Sequence, residues 1–321
     1  MANAHPMRII LITPAPATSL AGNRTTAARW AQILRTLGHR VEVATRYQGQ
    51  RADLMIALHA WRSAEAVVAY RDRYPDRPLI VGIAGTDAYR FLESDPRVTL
   101  RSIELADRLV GLHDLIGQRL PPRYQDKMQI IYQSAKPVNG RDPYRRYFHI
   151  AVMGHLREEK DPLRPALAVR NLPSSSRIQV HHYGKAHTPD WADRARVEMA
   201  SNPRYHWHDE VSHAEIRRIY RRTQLLLLPS LMEGGANVIS EAVMAKIPVV
   251  ASSIEGSIGL LGPEYPGYFP VGDEVALFEL LMRVECEPAF YQTLEQACLA
   301  LRPRFSEAAE SQAWQRLLSQ F

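Results

Sequence analysis

The stretch "PSLMEGGANVISEAVMAKIPVVAS", residues 229–252, carries two glutamates, Glu233 and Glu241, with seven residues between them and two glycines after the first. The apolar run "QLLLLPS" before it reads as a strand, and "ANVISEAVMA" as the helix that follows. Glu233 then falls in the connecting loop and Glu241 about two turns inside the helix. Gly234 and Gly235 would let backbone approach a ligand closely. The amides of Ala236, Asn237 and Val238 open the helix, where unpaired N–H groups and the dipole attract an anion. One carboxylate suits the hydroxyls of a sugar and the other those of a ribose, with a diphosphate over the helix N-terminus.

A second loop, "VMGHLREEKDP", sets Arg157 and Lys160 just after a strand and a glycine. The two cations can neutralise a leaving diphosphate, or form a solvated loop with ion pairs to Glu158 and Glu159, which contribute little at a surface. A third, "AGNRTTAARW", puts Gly22, Asn23, Arg24 and Thr25 at a helix start. This is either an anion site with Arg24 as a forked donor, or an ordinary Thr-capped helix with a solvated arginine. The loops "HAWRS" and "GTDAYR" add further hydroxyl and cationic groups after strands. The histidine-rich segments "VHHYGKAH" and "YHWHDEVSH" would place His206 and His208 on one strand face. No third ligand follows at a usable spacing, so a strand with polar outward positions is favoured over a metal site. The chain has no Asp-x-Asp pair to hold a diphosphate through a divalent ion, and neither a metal nor another cofactor is expected.

These loops need an α/β scaffold. Short apolar runs alternate with amphipathic stretches throughout. "MRIILIT", "HRVEVAT", "DLMIALH", "PLIVGIAG" and "DRLVGL" read as strands of a first half; "YFHIAVMG", "IQVHHYG", "YHWHDE", "QLLLLPS" and "IPVVASS" as strands of a second. "RTTAARWAQILRTLG" is the first crossover helix, with Ala28, Ala31, Leu34 and Leu37 on one face and Gly38 at its C-terminal cap. The turn-rich, charged segment near residues 136–147 reads as a linker. The expected division is a Rossmann-like domain at 1–140 and a second at 148–305, facing across a cleft, with ligands beyond the carboxyl ends of the strands. The terminal segment from Ser306, with Trp314, Leu317 and Leu318 on one face, reads as a capped helix.

The 321 residues are 46% apolar and 23% charged, with no apolar run of spanning length. The N-terminus runs into a first strand rather than a secretory signal. Cys286 and Cys298 show neither metal spacing nor a disulfide framework, which suits a reducing cytoplasm. The net charge of +6 comes mostly from scattered arginines. With no concentrated basic stripe, RNA-binding aromatic motif or helix-turn-helix pattern, small anionic ligands are expected rather than nucleic acid. The first half shows no clear basic amphipathic helix with exposed apolar residues, so no stable membrane association is expected either.

Residues 229–252 resemble the E-x7-E segment of retaining, family-4-type glycosyltransferases with the GT-B fold. "GHLREEKDP" is similar to their phosphate-binding loop, and "GNRTTAARWAQILRTLGHRVEV" to their first glycine loop and helix. Across nearly the whole chain, "TPAP", "GNR", "ALHAWRS", "GTDAYR", "IYQSA", "GHLREEKDPLR", "MEGGANVISEA" and "YPGYFPVGD" resemble the selenosugar synthases of selenoneine biosynthesis. Those enzymes join selenophosphate to the sugar of a UDP-sugar, typically UDP-N-acetylglucosamine, through a carbon–selenium bond.

The resemblance implies catalytic roles for Lys160, Arg157 and Glu233. It implies donor contacts at His155, Gly234, Gly235, Ala236, Asn237, Val238 and Glu241. His155 stands where the broader family usually has arginine, a role Arg157 would take over. Acceptor contacts are expected at Gly22, Asn23, Arg24, Thr25, His59, Arg62, Thr86 and Asp87; His59 reads equally as a packing histidine, and Asp87 suits an anion site only by orienting Arg24 or Arg62. "YPGYFPVGD" reads as a loop bordering the donor site or as domain core. The last helix, 306–321, is expected to return to the first domain, as in other GT-B proteins. The rival reading is a GT-B glycosyltransferase with a lipid or polysaccharide acceptor.

Overall fold

The computed structural model describes residues 5–17 and 22–321. Residues 1–4 and 18–21 lie outside the described residues. The chain forms two compact units, one of residues 1–133, 234–236 and 307–321, the other of residues 134–233 and 237–306.

The first unit holds a parallel sheet of β1 (Arg8–Ile12), β2 (Arg40–Ala44), β3 (Leu54–Leu58), β4 (Leu79–Gly82), β5 (Arg108–Gly111) and β6 (Met128–Ile130), in the order β2-β1-β3-β4-β5-β6. The second holds β7 (Phe148–Met153), β8 (Ile178–Tyr183), β9 (Tyr205–Trp207), β10 (Leu225–Leu228), β11 (Val249–Ser252) and β12 (Tyr268–Phe269), in the order β12-β11-β10-β7-β8-β9. The strands are apolar because parallel sheets are covered on both faces: every residue of β3, β4, β10 and β11 is buried. The ten strands expected from sequence are present. β6 and β12 are additional, at three and two residues too short to give a pattern. β12 lies inside "YPGYFPVGD", where Tyr265 and Phe269 are buried and the Tyr265 hydroxyl bonds the backbone of Val249, so the first part of this segment is core, while Pro270 and Val271 are exposed.

In each sheet the strand order reverses once. β1 pairs with both β2 and β3, and β7 with both β8 and β10. The loops leaving β7 and β10 therefore open side by side at the carboxyl edge, the position where doubly wound sheets bind ligands.

Five helices matter for the site: α1 (Gly22–Thr36), α2 (His213–Arg222), α3 (Asn237–Met244), α4 (Glu255–Leu261) and α5 (Glu307–Leu318). In α1 the buried stripe is Ala27, Trp30, Ala31 and Leu34, with Ile33 beside it, while Ala28 is exposed. Of the expected face, Ala31 and Leu34 are buried and Leu37 packs against the same core, whereas Ala28 points outward and Ala27 and Trp30 complete the stripe instead. Trp30 meets Trp314 of α5 edge to face at 4.9 Å, and Arg29 pairs with the buried Glu310. The segment 138–147 lies along α2: Asp142 N–H donates to Arg221 O, and Arg141 donates to Thr223 O. Both cysteines are free thiols. Among the described residues no helix is long and apolar enough to cross a membrane.

Candidate functional site

In the second unit, chain leaving β7 turns at Gly154, whose carbonyl accepts a hydrogen bond from His182 Nε2 at 2.9 Å. His182 Nδ1 faces Tyr205 Oη at 3.0 Å. Burial pushes the His182 pKa down to about 4, so a neutral imidazole anchors the loop. Next, His155 Nδ1 accepts from Lys185 N–H at 3.1 Å, leaving Nε2 as the protonated nitrogen. Its pKa is lowered by burial and then by neighbouring His187.

Lys160 ends the short turn Glu158–Lys160 and pairs with Glu233 Oε1 from the loop after β10. Ser230 Oγ donates to the same carboxylate oxygen at 2.7 Å. Leu231 N–H donates to Glu159 O at 2.9 Å, so the two loops are tied by backbone as well as by charge. Gly256 of α4 allows the close approach: a Cβ there would stand 2.2 Å from Glu233 O. Arg157 lies 3.9 Å from Glu159, and its buried Nε has no hydrogen-bond partner.

Glu241 is the fifth residue of α3, just over one turn from its start and not two, because the helix begins at Asn237. Its Oε2 accepts a hydrogen bond from Tyr220 Oη of α2 at 2.7 Å. Burial, then the Glu241 charge, raises the Tyr220 pKa well above the usual phenol value, so the hydroxyl is a permanent donor.

Gly234 and Gly235 are each packed closely by other parts of the chain. A Cβ on Gly234 would stand 2.3 Å from Ala84 C and Gly85 Cα, and one on Gly235 would stand 2.4 Å from Leu112 Cβ. Gly235 also has φ 151°, and its carbonyl accepts from Gln133 Nε2 at 2.7 Å. The pair is glycine because chain packs on both residues. Ala236 is buried, while Asn237 and Val238 at the start of α3 are partly exposed.

The first unit gathers a second group of side chains at the carboxyl edge of its sheet. Asp87 is 1% exposed and accepts from the amides of Ala60, Ala84, Gly85 and Ala88 at 2.7–3.2 Å. Its carboxylate pins the loops after β3 and β4 together and is not available to orient Arg24 or Arg62, which corrects the sequence expectation. His59 has φ 81°, an uncommon conformation for a residue with a side chain. Its Nδ1 accepts from Arg62 N–H, and Nε2 donates to Thr86 Oγ1 at 2.9 Å. Asp87, 3.7 Å away, favours the imidazolium, but burial is the larger influence and lowers the His59 pKa. His59 is thus a neutral buried group that orients Thr86, leaving the Thr86 hydroxyl hydrogen for another acceptor. Trp61, stacked on Phe91 at 4.1 Å and bonded to Asp95, fixes the same loop. Among the described residues the side chains of Arg24, partly exposed, and Arg62, exposed, make no hydrogen bond or ion pair. Gly22 is exposed, and Asn23 and Thr25 are partly so.

The structure brings Lys160 to Glu233, His59 to Thr86, and Asp87 to the loop amides. Sequence reasoning passed over Tyr220, Ser230, His182 and Gln133. For Tyr220 the available signal was its place four residues after Ile216 on the apolar side of an arginine-rich helix. Gln133 gave none: its Oε1 accepts from Thr26 Oγ1 at 2.6 Å and also from Arg29, contacts only the fold creates. The histidine-rich strands pair among themselves, His181 Nδ1 with His208 Nε2 at 2.8 Å and His206 with Gln179. Among the described residues no group of three or more His, Cys, Asp or Glu is arranged to hold a metal ion.

Residues 147–284 match the family model described as Glycosyl transferases group 1. No curated protein sequence matches the chain. Among solved structures, a sucrose-phosphate synthase (tll1590) from Thermosynechococcus elongatus superposes with a TM-score of 0.81 at 16% identity, over 98% of either chain. Anabaena Alr3699/HepE in complex with UDP-glucose superposes at 0.76 and 16% identity, over 98% of this chain and 100% of that one. The lipopolysaccharide outer core galactosyltransferase WaaB, in its apo form, gives 0.69 at 14% identity over 98% and 100%. At these identities the likeness establishes the fold.

Proposed function

We propose that this chain, which has the GT-B fold and matches the Glycosyl transferases group 1 model over residues 147–284, transfers the sugar of a UDP-sugar to selenophosphate, giving a selenosugar. The donor half is carried by one observation: Lys160 and Glu233, from the loops after β7 and β10, meet at the reversal point of the second sheet, with Glu241 following on α3. In this reading Lys160 and Arg157 neutralise the diphosphate together with the first amides of α3. Glu241 accepts from the ribose hydroxyls, and Glu233 lies beside the sugar. The Anabaena protein of the same fold holds UDP-glucose, which supports a uridine diphosphate donor.

The acceptor half draws support from the first unit. Among the described residues the side chains of Arg24 and Arg62 make no ion pair, and Thr86 has a hydroxyl hydrogen to give, a set suited to a small, highly charged anion. Selenium in selenophosphate is already nucleophilic near neutral pH, so the acceptor needs cationic contacts more than a general base. Its electron pair forms the C–Se bond at the anomeric carbon while the bond from that carbon to the β-phosphate oxygen breaks and UDP leaves with its pair. Water then splits the Se–P bond, releasing phosphate and the selenosugar. The choice of selenium rests on the motif resemblance, with UDP-N-acetylglucosamine as the first donor to try.

The test is mass spectrometry of anaerobic incubations containing UDP-N-acetylglucosamine or UDP-glucose, with selenophosphate, thiophosphate, phosphate or no acceptor. A selenosugar formed only with enzyme and selenophosphate supports the full reading. UDP release without such a product keeps the donor half and returns the acceptor to the lipid or polysaccharide class.

A further inference from the structure

We propose that Tyr220 is a positioning residue for donor recognition, its phenol holding the Glu241 carboxylate in the orientation that receives the ribose hydroxyls of a uridine nucleotide. The inference rests on the donor reading above and adds to it the group that makes Glu241 selective for a nucleotide with an intact ribose. Tyr220 is 2% exposed, and its hydroxyl lies 2.7 Å from Glu241 Oε2. Glu241 itself is partly exposed, as a group that meets a ligand must be.

The hydroxyl is not explained by packing, since phenylalanine would fill the same volume without bringing a polar atom into the interior. The helix that carries it is fixed in place. Ser212 and Glu215 form a reciprocal capping box at the start of α2, and the exposed side of the helix bears Arg217, Arg218, Arg221 and Arg222. Two of these are anchored to the neighbouring strap, Arg221 to Gly140 O and Arg222 to Asp142. A rigid helix thus presents one buried donor to one carboxylate oxygen. A glutamate side chain has three rotatable torsions, and tethering one oxygen restricts them before the ligand arrives. The adjacent hydroxyls of a ribose then meet an ordered acceptor. Because the phenol stays protonated, the tether persists across the working pH range.

Calorimetry with UDP and with 2′,3′-dideoxy-UDP, on the intact chain and on Tyr220→Phe, Glu241→Ala and the double variant, tests the assignment. Tyr220→Phe is expected to weaken UDP about tenfold, the loss of one charge-assisted hydrogen bond's ordering. It should leave dideoxy-UDP within about twofold of the parent, and add nothing to the loss already present in Glu241→Ala. Equal weakening of both nucleotides marks a packing role and overturns the proposal, as does unchanged UDP affinity. Thermal melts of all four proteins establish that each is folded. If the parent binds UDP and dideoxy-UDP alike, or Glu241→Ala binds UDP as the parent does, the donor reading itself falls and the role of Tyr220 with it.

Discussion

Lys160 and Glu233 lie 73 positions apart in the chain and form an ion pair between the loops after β7 and β10, with side chains 19% and 10% exposed. In the proposed reading a bound diphosphate would compete with Glu233 for Lys160. Lys160→Met should lower kcat/KM about a hundredfold or more through lost charge on the leaving group. It should also lower stability by about 1–3 kcal/mol, since Glu233 is left partly buried with Ser230 as its remaining donor among the described residues. Steady-state UDP release and urea unfolding measure the two effects. A variant with normal turnover would remove Lys160 from the diphosphate.

Gly234→Ala and Gly235→Ala should destabilise the protein, each by about 2–4 kcal/mol. At both positions the new methyl meets Ala84 or Leu112 well inside contact distance, and Gly235 adds a positive φ. Denaturant titration reads this directly. Unchanged unfolding combined with lost UDP affinity would return the glycines to a ligand-facing role.

How much of this was open to sequence reading follows from the range of each interaction. The strands were legible because buried parallel strands are continuous apolar runs bounded by turn formers, and the loops after them follow by position. That Glu233 and Lys160 both lie in loops after strands was therefore readable; that they touch depends on β7 and β10 being neighbours, which pairing alone decides. Asp87 misled for a related reason. A carboxylate in "GTDAYR" looks like a ligand or a partner for arginine, and nothing in the spacing tells that four amides from two loops converge on it. The glycine pair was correctly seen as close approach, but the approaching group is Ala84, Gly85 and Leu112, each more than a hundred positions away in the chain.

Thr86→Val should impair the acceptor side alone. It removes the hydroxyl that receives the His59 proton and offers its own, and leaves the second unit untouched. The expected result is a KM for the acceptor raised about tenfold with UDP affinity unchanged, and Arg24→Ala or Arg62→Ala should act in the same direction. Initial rates at varied acceptor concentration separate the two constants. Equal loss of UDP affinity would indicate a structural role for the hydroxyl.

The buried histidines set an acid limit on stability. Burial, with His208 and His206 beside it, holds His149 down to about 3, and burial holds His182 down to about 4. Both are neutral in the folded chain but take up a proton near pH 6.5 once unfolded. The unfolded state therefore binds more protons below that value, and stability is complete above pH 6.5 and falls as the pH drops toward 4 and 3. Each group contributes a slope of up to about 1.4 kcal/mol per pH unit in that window. His182→Gln keeps a donor for the Gly154 carbonyl and removes one titrating group. Urea unfolding at pH 7.5, 6 and 5 should show a steep loss in the parent and a shallower one in the variant. The same slope in both would mean that the linkage arises elsewhere in the histidine-rich sheet.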